Sequence, residues 1–379
     1  MGHGQSQPEP EPQEAPKPRK MQRGLKATVF PNPQFDVEAA CEELNKSMKG
    51  WGTDEDTLVQ VLVRHSNQQR QEIKEKYMAM YGEDLVDQIK GEVDGHFQDF
   101  LVGLLTPTLT YEAQCLQDAM KGAGTNEDVL IEVLVGKSNE EIAQLKEEYQ
   151  KLTEDNLDEK VESELSGIFQ NIIRALLAGA RDEGWGDRDE AEADAQVKKQ
   201  YITPTIDSDK TRDRLVNKTP NEAICLISVV VLSSQELVEA GISNWGTDES
   251  KFNAILCSKS FPHLSMVFRR YAELSGEDIT ETIESEFSGN AKDALLAIIK
   301  EARDTPEFFA ERLHNAMDGA GTTDYAVIRI LITRSEVDLG SIKDRYQELY
   351  EEPLVDKIKG ETRGDYETAC ILVLGEQPE

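Results

Sequence analysis

The sequence predicts an all-α protein made of four repeats of about 70 residues, with about five helices in each repeat. A glycine-rich turn recurs four times, at residues 50–53, 122–125, 244–247 and 319–322. Between the turns, apolar residues follow the i, i+3, i+4 spacing of amphipathic helices, as in Leu58, Val61 and Leu62. Strand-like alternation is absent, so we expect the units to form a helical array.

Five further positions recur in register with the turn. Counting from the second glycine of each turn, a leucine lies at +10, a serine at +14, a tyrosine at +25, a glutamate at +40 and a glycine at +43. The threonine that follows each turn is a natural N-cap, so we expect it to begin the next helix. In chain order these threonines are Thr53, Thr125, Thr247 and Thr322.

The third repeat is longer than the others, since the second glycines are spaced by 72, 122 and 75 residues. Removing Val197–Gln235 brings Ala195, Leu237 and Ala240 to the A-x-x-L-x-x-A spacing that precedes turns 2 and 4. A 39-residue loop inside a helix is implausible. We therefore interpret the segment as a retained intron or a gene-model error; its ends can be encoded by GTAAAG and by a pyrimidine-rich tract ending in CAG. The alternative is a genuine, spliced-in disordered loop.

These marks divide the chain into an N-terminal arm and four repeats. We expect a disordered arm over residues 1–33, followed by repeat 1 (34–106), repeat 2 (107–179), repeat 3 (180–304, with the insertion 197–235) and repeat 4 (305–379).

Composition excludes several classes of function. The chain has 41 basic and 73 acidic residues and a net charge of −32, which disfavours binding to nucleic acid. An anionic membrane would also repel it unless a cation stood between the two surfaces. The five scattered cysteines and the lack of a leader lead us to expect a reduced, intracellular protein. The longest apolar run has about ten residues, too few for the roughly twenty that cross a bilayer.

The glutamate at +40 indicates that the turns are more than connections between helices. A glycine turn before a helix is by itself an ordinary connection. Calcium, however, is a hard cation that takes six to eight oxygens, typically from backbone carbonyls, a bidentate carboxylate and water. Glycines let a loop turn its carbonyls inward, and a distant glutamate can complete the set. A similar stretch at Gly184–Asp187 has Leu226 at +40, so we expect it to be linker.

The motifs resemble those of the annexin family. The M-K-G-x-G-T turns at Met48–Thr53 and Met120–Thr125, the M-D-G-A-G-T turn at Met317–Thr322 and the partnering acids are similar to the endonexin-type motif. The resemblance covers residues 34–379 apart from the insertion. It implies a curved disc of four five-helix repeats whose convex-face loops bind Ca²⁺ and dock onto acidic phospholipid, with phosphatidylserine as a typical ligand.

By position, the resemblance also implies the calcium ligands, which are three backbone carbonyls and one carboxylate in each repeat. Repeat 3 departs from the pattern, because its loop is one residue longer and has an asparagine where the others have glycine. The expected ligands are Met48, Gly50, Gly52 and Glu92 in repeat 1; Met120, Gly122, Gly124 and Glu164 in repeat 2; Gly241, Asn244, Gly246 and Glu286 in repeat 3; and Met317, Gly319, Gly321 and Glu361 in repeat 4.

Two tryptophans occupy the same place in their loops. Trp51 and Trp245 each lie directly before the second glycine of their turn, where an indole could enter the interfacial zone of a membrane. The alternative is that each indole folds back onto its own repeat.

The arm carries two further signals. Met1–Ser6 fits the M-G-x-x-x-[ST] pattern for myristoylation of Gly2, and basic residues gather between Lys17 and Lys26. A single acyl chain with a polybasic cluster can anchor a protein. The alternative is a plain flexible tail.

No catalytic motif occurs, so we do not expect an enzyme. The sequence therefore predicts calcium-dependent binding to acidic phospholipid membranes, in membrane trafficking or organisation, by a cytoplasmic protein that moves to the cytosolic face of membranes such as the plasma membrane when calcium rises. The alternative function is a helical-repeat scaffold for a protein partner, engaged through the N-terminal arm, with calcium secondary.

Overall fold

A computed structural model describes residues 24–50, 52–183, 230, 232–241, 249–319 and 321–378. These residues form twenty α-helices and no strand, in four groups of five. The predicted all-α, four-repeat fold class is confirmed, while the exact repeat boundaries stay a prediction.

The first two repeats share one order of helix lengths, with the third helix the longest. In repeat 1 the helices are α1 (Val37–Ser47), α2 (Glu55–Val63), α3 (Asn67–Tyr81), α4 (Leu85–Glu92) and α5 (Gly95–Leu105). In repeat 2 they are α6 (Thr108–Ala119), α7 (Glu127–Leu134), α8 (Asn139–Thr153), α9 (Leu157–Glu164) and α10 (Gly167–Leu177).

The last two repeats also have five helices each. In repeat 3 the helices are α11 (residues 230 and 232–241), α12 (Glu249–Ser258), α13 (Phe261–Ser275), α14 (Ile279–Glu286) and α15 (Gly289–Arg303). In repeat 4 they are α16 (Thr305–Met317), α17 (Asp324–Arg334), α18 (Leu339–Tyr350), α19 (Leu354–Glu361) and α20 (Gly364–Val373).

The recurring leucine and tyrosine form the centre of each repeat. All eight side chains are at most 1% exposed. In repeats 1, 2 and 4 the first helix packs on the second and third, and the fourth and fifth helices close the unit. The residues are Leu62, Leu134, Leu256, Leu331, Tyr77, Tyr149, Tyr271 and Tyr346.

The first and last repeats pack against each other. Helix α2 packs on α20 and α5 on α17, so repeat 1 contacts repeat 4. Helix α10 packs on α12 and α15, so repeat 2 contacts repeat 3. Arg329 of α17 pairs with Glu132 of α7 at 2.7 Å, with both side chains buried, and so joins repeats 2 and 4. The fold therefore depends on long-range contacts between its two ends.

Most of the predicted insertion lies outside the described residues, but its last residues are helical. Ser234 is fully buried in α11, three residues before Leu237 and six before Ala240. This is the place that Ala113 and Ala310, also fully buried, have in repeats 2 and 4. With the segment present, α11 thus takes Ser234 where the shortened chain would place Ala195.

The predicted disorder of the whole arm is wrong for its last part. The backbone N–H groups of Thr28 and Val29 donate to the carbonyl of Ser335 at 2.8 and 3.0 Å, and the Gly340 N–H donates to the carbonyl of Lys26 at 2.7 Å. Residues 26–29 are held because the α17–α18 junction offers these backbone partners. Residues 1–23, including Gly2, lie outside the described residues.

Candidate metal site

The turns of repeats 1, 2 and 4 have the same backbone. Both glycines of each turn lie in the left-handed region, with φ from 87° to 128°, which residues with a side chain rarely adopt. Each turn is closed by one backbone hydrogen bond across its base. The Asp54 N–H donates to the Ser47 carbonyl at 2.9 Å, Asn126 to Ala119 at 2.8 Å and Thr323 to Ala316 at 2.7 Å.

This backbone leaves three carbonyl oxygens per turn available. Among the described residues, the carbonyls of the methionine and the two glycines accept no hydrogen bond in any of the three turns. The methionine side chains are buried, whereas the glycines are exposed. The residues concerned are Met48, Gly50, Gly52, Met120, Gly122, Gly124, Met317, Gly319 and Gly321.

The distant glutamate reaches the turn in repeats 1 and 4. Thr53 Oγ1 donates to Glu92 Oε2 at 2.6 Å, and Thr322 Oγ1 donates to Glu361 Oε2 at 3.0 Å. In both repeats the partners lie 39 residues apart in the sequence. The tertiary structure therefore brings the carboxylate and the turn together, as the calcium hypothesis requires.

The prediction that these threonines are N-caps is wrong in repeats 1, 2 and 4. The caps of α2, α7 and α17 are the next residues, Asp54, Asn126 and Thr323. Asp54 accepts from the Thr57 N–H at 3.0 Å, and this bond holds the pKa of its carboxyl below the usual range. The hydroxyl of Thr53, the residue before it, donates to Glu92 instead of capping the helix. Thr247 lies outside the described residues.

Each glutamate is the last residue of the fourth helix in its repeat. Glu92, Glu164, Glu286 and Glu361 end α4, α9, α14 and α19. The recurring glycine three residues later begins the fifth helix with φ from 56° to 66°, which reverses the chain sharply. The reversal keeps the carboxylate at the end of the repeat where the turn lies.

In repeat 2 the glutamate pairs with a lysine, and in repeat 3 only part of the expected ligand set is described. Glu164 pairs with Lys160 Nζ at 2.6 Å. In repeat 3 Gly241 lies at the end of α11 and Glu286 at the end of α14, but Asn244 and Gly246 fall outside the described residues.

A sequence model of the annexin repeat matches four stretches, residues 39–104, 111–176, 233–298 and 308–373. The chain belongs to the annexin family. Calcium-dependent phospholipid binding is the known function of this family. The third match begins at Ser233, within the last residues of the predicted insertion.

Known annexins match over almost their whole length. Annexin A4 of Sus scrofa is 38% identical over 341 residues, which are 90% of this chain and 95% of that protein. The structure of annexin III superposes with a TM-score of 0.79 at 35% identity, covering 93% of this chain and 98% of its own. A calcium-bound annexin (Sm)1 superposes with a TM-score of 0.75 at 30% identity, covering 94% of each chain.

One feature of the annexin repeat was not assigned a role from the sequence. The tyrosine at +25 lies near the glutamate in all four repeats, and the negative charge of that glutamate contributes to the raised pKa of the phenol. Burial is the larger cause, and it raises the pKa of Tyr77 to about 12. In repeat 3 the hydroxyl of Tyr271 also lies 2.8 Å from Thr282 Oγ1, on the helix that ends at Glu286. The constant interval of 15 residues between tyrosine and glutamate was the available signal.

The donor set fits a hard divalent cation. Within the part of the chain that the structure describes, no three His, Cys, Asp or Glu side chains form a metal cluster. The available donors are instead carbonyl oxygens and one carboxylate, which suit calcium better than a soft metal. The hydrogen bonds from Lys357 and Thr322 hold the pKa of Glu361 below its usual range, so its carboxylate is charged at neutral pH.

Several predicted residues fall outside the described part. Trp51, Trp245 and the Gly184–Asp187 stretch are among them, so their roles stay predictions. Among the residues that the structure does describe, no helix is both long and apolar enough to cross a bilayer.

Proposed function

We propose that this annexin binds acidic phospholipid membranes through calcium held in its repeat turns. The observation that supports the proposal is the hydrogen bond from the turn threonine to the distant glutamate in repeats 1 and 4, in turns whose three carbonyls accept no hydrogen bond from the described residues. A calcium ion in this position uses backbone oxygens and keeps coordination positions for a lipid phosphoryl oxygen.

The charge of the chain makes the ion necessary. At −32 the protein and an anionic bilayer repel each other, so a divalent cation has to bridge the two surfaces. Several weak sites on one rigid array then act together, because the first contact raises the effective concentration of the others. We therefore expect binding to rise steeply with calcium concentration.

The ligand sets for the four sites are those inferred by position from the family resemblance. The structure supports repeats 1 and 4 most directly, repeat 2 through its identical turn, and repeat 3 through Gly241 and Glu286 alone. Trp51 and Trp245 would extend from their turns into the interfacial zone of the bilayer. No catalytic role is proposed.

The remaining proposals concern the location and role of the protein in the cell. A calcium-gated membrane contact suits a cytoplasmic protein that acts in membrane trafficking or organisation at the cytosolic face, including that of the plasma membrane. Acylation of Gly2, and a protein partner engaged through the N-terminal arm, are separate additions to this scheme. Mass spectrometry of the N-terminus tests the first of them, since a free or acetylated terminus would exclude it.

Co-sedimentation with phosphatidylserine vesicles over a calcium titration tests the main proposal. We expect binding that requires calcium, is reversed by a chelator and is lost in the Glu92/Glu164/Glu286/Glu361→Gln variant. The matched control is Glu75/Glu147/Glu281/Glu352→Gln, which removes four exposed carboxylates outside the assigned ligand sets and should bind like the unmodified chain.

The two alternatives give different results in the same assay. Binding that persists in chelator would assign the membrane contact to the arm. No binding to vesicles under any condition would favour the protein scaffold, and equal binding by both quadruple variants would reject the assigned glutamates.

A further inference from the structure

The four glutamates differ in the residue one helical turn before them. Residues at i and i+4 face each other on a helix, so a long side chain at this position can reach the carboxylate. The position holds Gln88 in repeat 1, Lys160 in repeat 2, Thr282 in repeat 3 and Lys357 in repeat 4.

In repeats 2 and 4 this lysine forms an ion pair with the glutamate carboxylate. Lys160 Nζ lies 2.6 Å from Glu164 Oε1, and Lys357 Nζ lies 3.1 Å from Glu361 Oε1. The four side chains are only 19–30% exposed, so solvent screens these pairs less than it screens pairs on an open surface. Thr322 holds the other oxygen of Glu361, so both of its oxygens already have a donor.

Repeats 1 and 3 lack this lysine. Among the described residues, no lysine or arginine nitrogen pairs with Glu92, whose recorded partner is the Thr53 hydroxyl. In repeat 3 the hydroxyl of Thr282 bonds to Tyr271 and Glu277. A threonine also carries no charge, so it cannot replace a cation.

We propose that Lys160 and Lys357 set the calcium concentration at which their own sites fill. Each ammonium takes a carboxylate oxygen that a bidentate calcium ligand needs, so calcium must displace it. Repeat 1 consequently fills before repeats 2 and 4, and the protein engages the membrane in stages. The inference rests on the proposed function, because it concerns the same four glutamates.

The test uses full-length chains that keep one site each, with the other three glutamates changed to glutamine. In the chain that keeps Glu164 we introduce Lys160→Gln, and in the chain that keeps Glu361 we introduce Lys357→Gln. Calcium titration by calorimetry, without lipid, should show half-saturation at calcium concentrations about two- to fivefold lower, as expected for loss of a partly exposed ion pair.

Four further variants separate direct competition for the carboxylate from a general effect of positive charge. In the chain that keeps Glu92, Gln88→Lys installs the missing lysine and should raise the half-saturating calcium concentration by a similar factor. Lys90→Gln removes a lysine two residues before Glu92 that does not pair with it, and should have a smaller effect. Lys160→Arg and Lys357→Arg keep the cation and should behave like the lysine forms.

Thermal unfolding without calcium provides the structural readout. If the lysines only stabilise their helices, Lys→Gln lowers the unfolding temperature and leaves calcium half-saturation unchanged, which overturns the inference. An equal effect of Lys90→Gln also overturns it. If the unmodified chain binds no calcium, the proposed function fails as well; if it binds calcium through its glutamates and the lysine variants change nothing, only this inference fails.

Discussion

The glycines of the turns show how a single residue controls the site. Gly52 has φ of 87°, and nothing lies within 4 Å of the position that a Cβ would take. Space is therefore available for a side chain, and the backbone conformation alone excludes one. Gly91, one residue before Glu92, is equally open but has an ordinary helical φ.

This contrast gives a matched pair of substitutions. Gly52→Ala should reduce the free energy of unfolding by about 1–2 kcal/mol, because alanine disfavours the left-handed region, and should weaken calcium binding in repeat 1. Gly91→Ala should instead leave stability unchanged or raise it by about 0.5–1 kcal/mol, since alanine is the better helix former. Chemical denaturation and calcium titration measure both; equal losses of stability would contradict the conformational explanation.

Thr53 shows where a residue-level rule misleads. Threonine is a good N-cap, and the pattern Thr53-Asp54-Glu55 offers two candidates. In the structure Asp54 is the N-cap, because the Thr53 hydroxyl donates to the carboxylate of Glu92, 39 residues away in the sequence. No local rule contains that partner.

At the scale of elements, α11 takes its first buried position from the last residues of the predicted insertion. Ser234 Oγ donates to the Val230 carbonyl at 2.6 Å and lies 3.4 Å from the Val267 carbonyl, so its polar atom is satisfied inside the core. In repeat 1, Cys41 lies 3.5 Å from the carbonyl of Ile73, which is the equivalent of Val267. A small residue is needed where the first helix crosses the third.

A chain without Val197–Gln235 should therefore fold. Ala195 would occupy the place of Ser234, as Ala113 and Ala310 do in their repeats, and the shorter connection costs less entropy to order. We expect an unfolding temperature equal to or above that of the long form, with calcium binding retained. Failure of the short form to fold would show that the segment is an integral part of repeat 3, and cDNA across residues 196–236 shows which form is expressed.

At the scale of the whole molecule, buried charge joins repeats that are distant in sequence. Arg329 and Glu132 form a two-pronged pair at 2.7 and 2.9 Å between α17 and α7, with side chains 7% and 4% exposed. Such a pair contributes little beyond an apolar substitute, yet breaking it leaves an unpaired charge in the interior.

The stability of the fold should therefore depend strongly on whether both members of the Arg329–Glu132 pair are present. Arg329→Met should destabilise the fold by about 3–5 kcal/mol, because Glu132 then stays buried without its cation. The double variant Arg329→Met/Glu132→Leu should recover most of that loss. Denaturant unfolding of the two single variants and the double variant completes the cycle; additive losses would show that the pair is not coupled.

By itself, the sequence determined the repeat number and the helical class, because the turn and the positions in register with it recur at constant offsets. It also predicted the glutamates of the turns, of which the structure brings Glu92 and Glu361 to their turns. Only the tertiary structure decided which partner each polar group takes. The Thr53–Glu92 bond, the docking of Lys26 on Gly340 and the Arg329–Glu132 pair join residues 39, 314 and 197 positions apart. Such partners are chosen by how the helices pack, and local periodicity carries no information about packing between distant helices.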